Sequence, residues 1–178
     1  LRWQLKYEGF DNVAVLDGGL VKWKQEGRPV TTETRTYPKG KFNYERRPHL
    51  VVNKEEVRTA IEDDNVVLIN SLSPADFNGE TNTYPRKGHI PTSENVFFGS
   101  HSDPATRLLF DDATLRTTFE KIGALDPSKK VITYCGGGIA ATWNALLLNK
   151  LGQENVAIYD GSMNEWAADA TCPLVTKK

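Results

Sequence analysis

The feature that most constrains the fold of this chain is a run in which a strand, a cysteine, a glycine loop and a helix follow one another directly. Residues 131–134 are β-prone and lead straight into Cys135 and the three glycines at 136–138. The stretch after the loop, residues 140–148, contains no strong helix breaker and is apolar on nearly all sides, which predicts a helix packed against a sheet. The loop is therefore expected at the carboxyl end of a sheet strand, where open α/β sheets bind their ligands.

The same run places Cys135 where a thiol can act as a nucleophile. A helix N-terminus offers free backbone N–H groups and the positive end of the helix dipole, and glycines let several amides converge on one point. Thiols in such positions ionise more readily than free cysteine, and the thiolate is the nucleophile. The alternative is a buried structural cysteine, but three consecutive glycines favour a close approach of the backbone to another group. We therefore predict that Cys135 is catalytic and that the residues after it cradle a negative charge: Gly136, Gly137, Gly138, Ile139 and Ala140.

Four segments carry a resemblance to a known family. They are the cysteine loop, Phe-Asn-Gly-Glu at 77–80, Gly-His-Ile-Pro at 88–91, and Tyr-Asp-Gly-Ser at 159–162 followed by Trp166. In this order they resemble the rhodanese-like sulfurtransferases, in which a loop cysteine carries a sulfur atom as a persulfide. The resemblance runs from about Leu50 to the C-terminus. It implies that Cys135 is the sulfur carrier and that no organic cofactor is required.

An internal repeat gives a second constraint. Residues 12–19 (Asn-Val-Ala-Val-Leu-Asp-Gly-Gly), followed by Trp23, recur as residues 155–162 (Asn-Val-Ala-Ile-Tyr-Asp-Gly-Ser), followed by Trp166. The offset of 143 residues (155 minus 12) is far longer than a solenoid repeat and suggests a duplicated domain. This layout resembles the tandem-domain rhodaneses and mercaptopyruvate sulfurtransferases, whose second domain usually holds the working cysteine.

The repeat predicts a division of the chain into three parts. Residues 1–30 are expected to be the C-terminal remnant of a first rhodanese-like domain, residues 31–48 a polar linker, and residues 49–178 the complete catalytic domain. The remnant alone leaves apolar side chains and a sheet edge uncovered. We therefore expect it to dock onto another surface, with the N-terminal part of the same protein as one candidate partner.

The periodicity of the apolar residues and the positions of glycine, proline and turn residues predict a parallel α/β sheet with helices on both faces. Strands are expected at residues 13–16, 66–69, 96–98, 131–134 and 156–159, and helices at 20–26, 53–61, 111–122, 140–148 and 163–168. Asn53 and Glu56 have the spacing of a capping box. Residues 73–91 are expected to be rich in loop, and Trp23 and Trp166 are expected to pack against their sheets.

Composition excludes several classes of function. The 178 residues carry a net charge of −1, so the chain has no excess of basic residues of the kind that binds nucleic acid. No apolar run approaches the ~20 residues that a membrane span needs. Two cysteines do not form a disulfide framework. These observations predict a reducing compartment, the cytoplasm or, in a eukaryote, the mitochondrial matrix.

The remaining cysteine and the histidines carry weaker signals. Cys172 has neither glycines nor a following helix and is expected to be inert, with a resolving-thiol role as the alternative. His89 is expected to hold the Gly-His-Ile-Pro turn by hydrogen bonding, with base catalysis as the alternative. The three histidines and two cysteines lack the spacing of metal ligands, so no metal site is predicted.

Departures from the family pattern bear on the substrate. Many of these sulfurtransferases have Asp-Ala-Arg where this chain has Asn70-Ser71-Leu72, and some mercaptopyruvate enzymes have arginine where Asp76 stands. Arginine grips carboxylate and sulfonate groups in a bidentate manner, so Arg86 is the remaining candidate for binding the substrate. Cysteine phosphatases need an arginine six residues after the cysteine. This chain has Ala141 at that position, which argues against phosphatase activity.

The sequence thus predicts a sulfurtransferase that moves a sulfane sulfur from a small anionic donor, thiosulfate or 3-mercaptopyruvate, to a thiol or cyanide acceptor. The sulfur would travel as a persulfide of Cys135. The alternative is a catalytically weak rhodanese-like module that binds a partner or senses oxidants, because arginines have been replaced while the cysteine is kept.

Overall fold

The computed structural model describes residues 1–176 and divides into two compact units. The N-terminal unit comprises Leu1–Arg47 and Ser102–Phe110, and the sheet unit comprises Pro48–His101 and the chain from Asp111 onward. The sheet unit begins at the residue where the linker was predicted to end. The segment Ser102–Phe110 differs from the prediction, because it belongs to the N-terminal unit although it lies within the predicted catalytic domain.

The sheet unit is built on five parallel strands. The strands are β1 Val51–Val52, β2 Val66–Asn70, β3 Glu94–Asn95, β4 Lys130–Tyr134 and β5 Val156–Tyr159, in the spatial order β1-β5-β4-β2-β3. All four neighbouring pairs are parallel. Consecutive residues of β2, β4 and β5 are buried, so both faces of the sheet are covered. The predicted α/β class is confirmed.

Seven α-helices accompany these strands in the part of the chain that the structure describes. They are α1 Arg2–Tyr7, α2 Gly19–Gln25, α3 Lys54–Ala60, α4 Pro74–Asn78, α5 Asp112–Glu120, α6 Ala141–Lys150 and α7 Ser162–Trp166. The predicted capping box of α3 is confirmed, because Glu56 N–H donates to Asn53 Oδ1 (3.0 Å) and Asn53 N–H donates to Glu56 Oε2 (2.8 Å). None of the helices over residues 1–176 is long and apolar enough to cross a bilayer.

One local prediction is wrong in the sheet unit. The strand expected at residues 96–98 is formed instead by Glu94–Asn95, which pairs with the end of β2. Residues 73–91, expected to be rich in loop, also contain the short helix α4. Its start signals are present in the sequence, because Ser73 caps the helix by accepting from Asp76 N–H and Pro74 occupies the first turn.

The N-terminal unit corrects a larger prediction. No strand forms at residues 13–16, and Val15 and Leu16 remain 47% and 60% exposed. A strand needs a neighbour to satisfy its backbone groups, and within the described residues of this unit none pairs with this segment. Trp23 likewise has no sheet to pack against: it is half-buried, its indole N–H donates to the Pro29 carbonyl (2.9 Å), and Arg28 lies over its ring.

Candidate active site

The predicted cysteine loop lies between β4 and α6. Tyr134 ends β4, Cys135 follows it, and α6 begins at Ala141. The residue Cys135 is buried, with 3% of its surface exposed, whereas Ile139 in the same loop is 85% exposed. The loop thus has a buried base at the cysteine and an open rim, as expected for a site that admits a small group to a protected thiol.

Ser162 ties the two ends of the loop together. Its hydroxyl oxygen accepts from the backbone N–H of Cys135 (3.0 Å) and from that of Gly138 (3.2 Å), and the hydroxyl donates to the Tyr159 carbonyl (2.7 Å). A serine hydroxyl has one donor and two acceptor positions, so all three are used. The result is a fixed loop whose curvature is set by a side chain at the start of α7.

Two carbonyls of the loop are bound to the backbone of α7. The Cys135 carbonyl accepts from Met163 N–H (3.0 Å), and the Gly136 carbonyl accepts from Asn164 N–H (2.9 Å). Within residues 1–176, four backbone N–H groups of the loop donate to no other group: those of Gly136, Gly137, Ile139 and Ala140. Unpaired amides beside a cysteine, at the N-terminus of a helix, are the kind of arrangement from which anion-binding nests are built.

At each of the three loop glycines, a Cβ atom would lie very close to a polar side chain. A Cβ on Gly136 would lie 2.5 Å from Tyr84 Oη, and one on Gly138, where φ is +77°, would lie 2.3 Å from Asp160 Oδ1. A Cβ on Gly137 would lie 3.0 Å from Asn164 Nδ2. Three polar side chains therefore approach the loop so closely that only glycine fits without displacing them.

Arg86, the predicted substrate-binding residue, is engaged elsewhere. Its Nε donates to the Ala167 carbonyl (3.0 Å), Nη1 to the Cys172 carbonyl (2.8 Å), and Nη2 to the carbonyls of Trp166 (2.9 Å) and Asp169. These carbonyls lie at and beyond the C-terminus of α7, where a cation is electrostatically favoured. The contacts give Arg86 a structural role, and binding of substrate by its guanidinium stays a prediction that this geometry does not favour.

The positions that depart from the family pattern are also used structurally. Asn70 and Ser71 are fully buried; Asn70 Oδ1 accepts from Leu72 N–H (2.8 Å), closing a turn. Asp76 accepts hydrogen bonds from three hydroxyls, those of Ser73, Thr81 and Thr83. Burial alone would raise the pKa of Asp76, but these hydrogen bonds lower it below the ordinary value. The carboxylate is thus held charged.

Two histidines are structural in their contacts. His89 Nδ1 lies 2.7 Å from the Phe77 carbonyl and its ring stacks on that of Phe77, as expected for the Gly-His-Ile-Pro turn. His101 Nε2 lies 2.7 Å from Asn144 Oδ1. Burial lowers the pKa of His101, and the bond to Asn144 only partly opposes this effect, so the imidazole is held neutral.

Cys172 is buried in the hydrophobic core. Burial raises the pKa of its thiol, and the charge of Asp169 adds to the effect. Both causes disfavour the reactive thiolate, in agreement with the inert role expected for it. No cluster of three or more histidine, cysteine or acidic side chains within residues 1–176 could hold a metal ion.

Sequence reasoning missed Ser162, Tyr84 and Asn164. One signal was available for Ser162. The internal repeat aligns it with Gly19, and the two residues have φ angles of +50° and +55°. A serine where the backbone prefers glycine lowers the stability of the fold by about 1 kcal/mol or more, which indicates that its side chain has a structural role. Tyr84 and Asn164 approach the loop through tertiary contacts that no local pattern reveals.

Comparisons with known proteins find similar sequences and structures. The sequence model of the family described as Rhodanese-like domain matches residues 53–169. Thiosulfate/3-mercaptopyruvate sulfurtransferase 2 of Arabidopsis thaliana is 33% identical, over 97% of this chain and 57% of its own length. The 3-mercaptopyruvate sulfurtransferase of Escherichia coli K12 is 31% identical, over 97% of this chain and 61% of its own length.

A solved structure gives the same fold over both units. The anaerobic ergothioneine biosynthesis enzyme from Chlorobium limicola, in complex with trimethyl histidine, matches with a TM-score of 0.84 at 24% identity. The match covers 99% of this chain and 44% of that chain. This chain spans about three fifths of the length of the two curated relatives and less than half of the solved structure.

Proposed function

Because the chain belongs to the rhodanese-like domain family, we propose that it is a sulfurtransferase in which Cys135 carries the transferred sulfur as a persulfide. The donor is a small anionic sulfur compound, thiosulfate or 3-mercaptopyruvate, and the acceptor is a thiol or cyanide. Both donor names occur in the relatives described above.

The chemistry consists of two displacements at sulfur. In the first, the Cys135 thiolate attacks the outer sulfur of thiosulfate or the thiol sulfur of 3-mercaptopyruvate. A sulfur–sulfur bond to Cys135 forms, and the S–S bond of thiosulfate or the C–S bond of 3-mercaptopyruvate breaks. The electron pair leaves as sulfite from thiosulfate, or as the enolate of pyruvate, which then takes a proton from solvent, from 3-mercaptopyruvate. In the second, the acceptor attacks the outer sulfur and the electron pair returns to Cys135 as thiolate.

The observation that carries this proposal is the set of unpaired loop amides after Cys135. Four N–H groups without another acceptor within residues 1–176 follow a buried cysteine just before a ten-residue helix. Such a nest favours a negatively charged sulfur, both on the thiolate and on the persulfide anion. It requires no cation, which suits a site whose nearby Arg86 is bound to main-chain carbonyls.

A second candidate is a module that carries or senses sulfur without rapid turnover. The contacts of Arg86 and the hydroxyl-bound Asp76 favour it, because a dianionic donor finds neither of the arginines that the family pattern would supply. In this case Cys135 would still accept sulfur, but from a persulfide on a partner rather than from a small anion.

Intact mass separates these functions. The protein is incubated with thiosulfate and, separately, with 3-mercaptopyruvate, before and after treatment with a reductant, and a Cys135→Ser variant is the control. We expect a gain of one sulfur, about 32 Da, that the reductant removes and that the variant lacks. A gain on the variant would reject Cys135 as the carrier. No gain from either donor, with Cys135 still open to alkylation, would favour the carrier or sensor module.

A further inference from the structure

One hydroxyl near the cysteine loop has no hydrogen-bond partner. The sheet unit contains three tyrosines, and two of them are paired: Tyr134 Oη donates to Ser93 Oγ (2.9 Å), and Tyr159 Oη donates to Glu165 Oε2 (2.7 Å). The Tyr84 hydroxyl bonds to no other group within residues 1–176, although the side chain is half-buried. A half-buried hydroxyl without a protein partner is available to a ligand.

The position of this hydroxyl points to the ligand. A Cβ on Gly136 would come within 2.5 Å of Tyr84 Oη, while the nearest ring carbons of Tyr84 would be 3.5 and 3.7 Å away. The oxygen, not the ring, therefore occupies the space beside the residue that follows Cys135. Gly136 and the next residue, Gly137, have backbone N–H groups that donate to no other group within residues 1–176.

The surroundings of Tyr84 keep its hydroxyl protonated. Burial raises the pKa of Tyr84 first, and the negative charges of Asp76 and Cys135 raise it further. Asp76 is already the acceptor of three hydroxyls, from Ser73, Thr81 and Thr83. Tyr84 thus presents a neutral donor toward the loop, in a place where a negative sulfur is expected.

We propose that the Tyr84 hydroxyl is a further substrate-contacting group of this site, and that it donates a hydrogen bond to the outer sulfur of the Cys135 persulfide. This inference rests on the proposed function and adds a side-chain donor to the backbone nest. It also explains why Gly136 is glycine, although its backbone lies outside the left-handed region that favours glycine. The group recognised is an anionic sulfur, whichever donor supplied it.

The test loads Cys135 chemically, so that it does not depend on an enzymatic donor. With inorganic tetrasulfide as the probe, the Cys135 thiolate takes one sulfur atom and trisulfide leaves with the electron pair. The loaded fraction is read by intact mass as a function of tetrasulfide concentration, for the wild type, Tyr84→Phe and the control Tyr37→Phe, whose side chain is 79% exposed. Since hydrogen bonds to charged groups are strong, we expect Tyr84→Phe to need about tenfold more tetrasulfide for half-loading, and Tyr37→Phe to match the wild type.

Gly136→Ala provides an independent check on the geometry. Alone, it forces the Tyr84 hydroxyl away and is expected to weaken loading as much as Tyr84→Phe does. In the double variant with Tyr84→Phe the methyl group meets only ring carbons at ordinary contact distance, so loading should be no weaker than in Tyr84→Phe alone. Urea unfolding of each variant verifies that the fold is kept.

The outcomes separate this inference from the proposed function. Equal half-loading of the wild type and Tyr84→Phe would overturn the role of Tyr84 and leave the function intact. A wild type that gains sulfur from tetrasulfide, but not from thiosulfate or 3-mercaptopyruvate, would reject the proposed donors while the Tyr84 comparison still stands. No loading even from tetrasulfide would reject both.

Discussion

The two copies of the internal repeat share a sequence and differ in structure. In the second copy, residues Val156–Tyr159 form β5, which is buried between β1 and β4 in the sheet unit. Residues 12–16 of the N-terminal unit have a similar sequence, an asparagine followed by apolar residues, yet form no strand. The comparison teaches that the apolar pattern specifies a strand only together with its neighbours, because a strand obtains its hydrogen bonds and its burial from other strands.

The helices that follow the two segments form in both copies but differ in burial. Both α2 and α7 form, since a helix satisfies its own backbone hydrogen bonds. Their apolar residues differ in burial: Leu20 is 59% exposed, whereas Met163, at the matching position, is fully buried. The secondary structure of the helices is therefore local, while their packing depends on the unit around them. We infer that the two copies descend from one duplicated domain.

The largest expected difference between the copies concerns their tryptophans. Trp166 is fully buried, makes an edge contact with Tyr159, and donates to the Pro173 carbonyl (2.8 Å). Trp166→Ala should therefore cost about 3–5 kcal/mol of unfolding free energy, the range for a large core aromatic residue. Trp23→Ala removes a half-buried ring and its contact with Arg28, so it should cost about 1 kcal/mol.

Urea unfolding followed by circular dichroism measures both changes, and Trp166→Phe serves as the milder variant if Trp166→Ala does not fold. Similar losses for Trp23→Ala and Trp166→Ala would mean that the N-terminal segment is packed in solution as tightly as its counterpart. In that case the difference in burial between the copies would not hold.

A smaller difference concerns the residue that starts each helix. Ser162→Gly removes the acceptor of two loop amides and the donor to the Tyr159 carbonyl, at a cost of about 1–3 kcal/mol, but relieves about 1 kcal/mol of backbone strain. Stability should therefore change little, while the fixed curvature of the loop is lost. We expect sulfur loading of Cys135 to fall severalfold.

Gly19→Ser is the matched exchange in the other copy. It introduces a side chain at a φ of +55° where no atom lies within 4 Å, so it should cost about 1 kcal/mol and leave loading unchanged. Intact mass and urea unfolding read the two effects separately. If Ser162→Gly loads sulfur as well as the wild type, the hydroxyl does not set the loop geometry.

The sequence was sufficient where the determinants are local. The Asn53–Glu56 capping box, the strand before Cys135 and the helix after it follow from neighbouring residues, and the structure has all of them. It was insufficient where the determinants are distant. Arg86 binds carbonyls at least 80 positions away, and Tyr84 reaches the loop from a distant segment of the chain, so neither contact has a local signature. The missing strand at residues 13–16 has a related cause. The local sequence pattern is that of a strand, but among residues 1–176 the distant strands that would pair with it are lacking.

The smallest expected difference lies in the acid range and concerns two carboxylates at matching positions, Asp169 and Glu26. The hydrogen bond from Lys54 is the main cause that lowers the pKa of Asp169, and the one from Arg28 lowers that of Glu26. A carboxyl group whose pKa is lowered on folding stabilises the fold above its unfolded pKa of about 4, and this stabilisation is lost as the pH falls toward the folded value.

The two pairs differ in sequence separation, which decides how much of this effect reaches stability. Lys54 and Asp169 are 115 residues apart and separate on unfolding, whereas Arg28 and Glu26 are two residues apart and stay close in the unfolded chain. Lys54→Met should therefore flatten the decline of unfolding free energy as the pH falls below about 4, where the Asp169 carboxyl takes up a proton in the unfolded chain but not yet in the folded one. Arg28→Met should leave that slope nearly unchanged. Urea unfolding at a series of pH values measures both slopes, and an equal effect of the two variants would show that the long-range pair forms no more firmly than the local one.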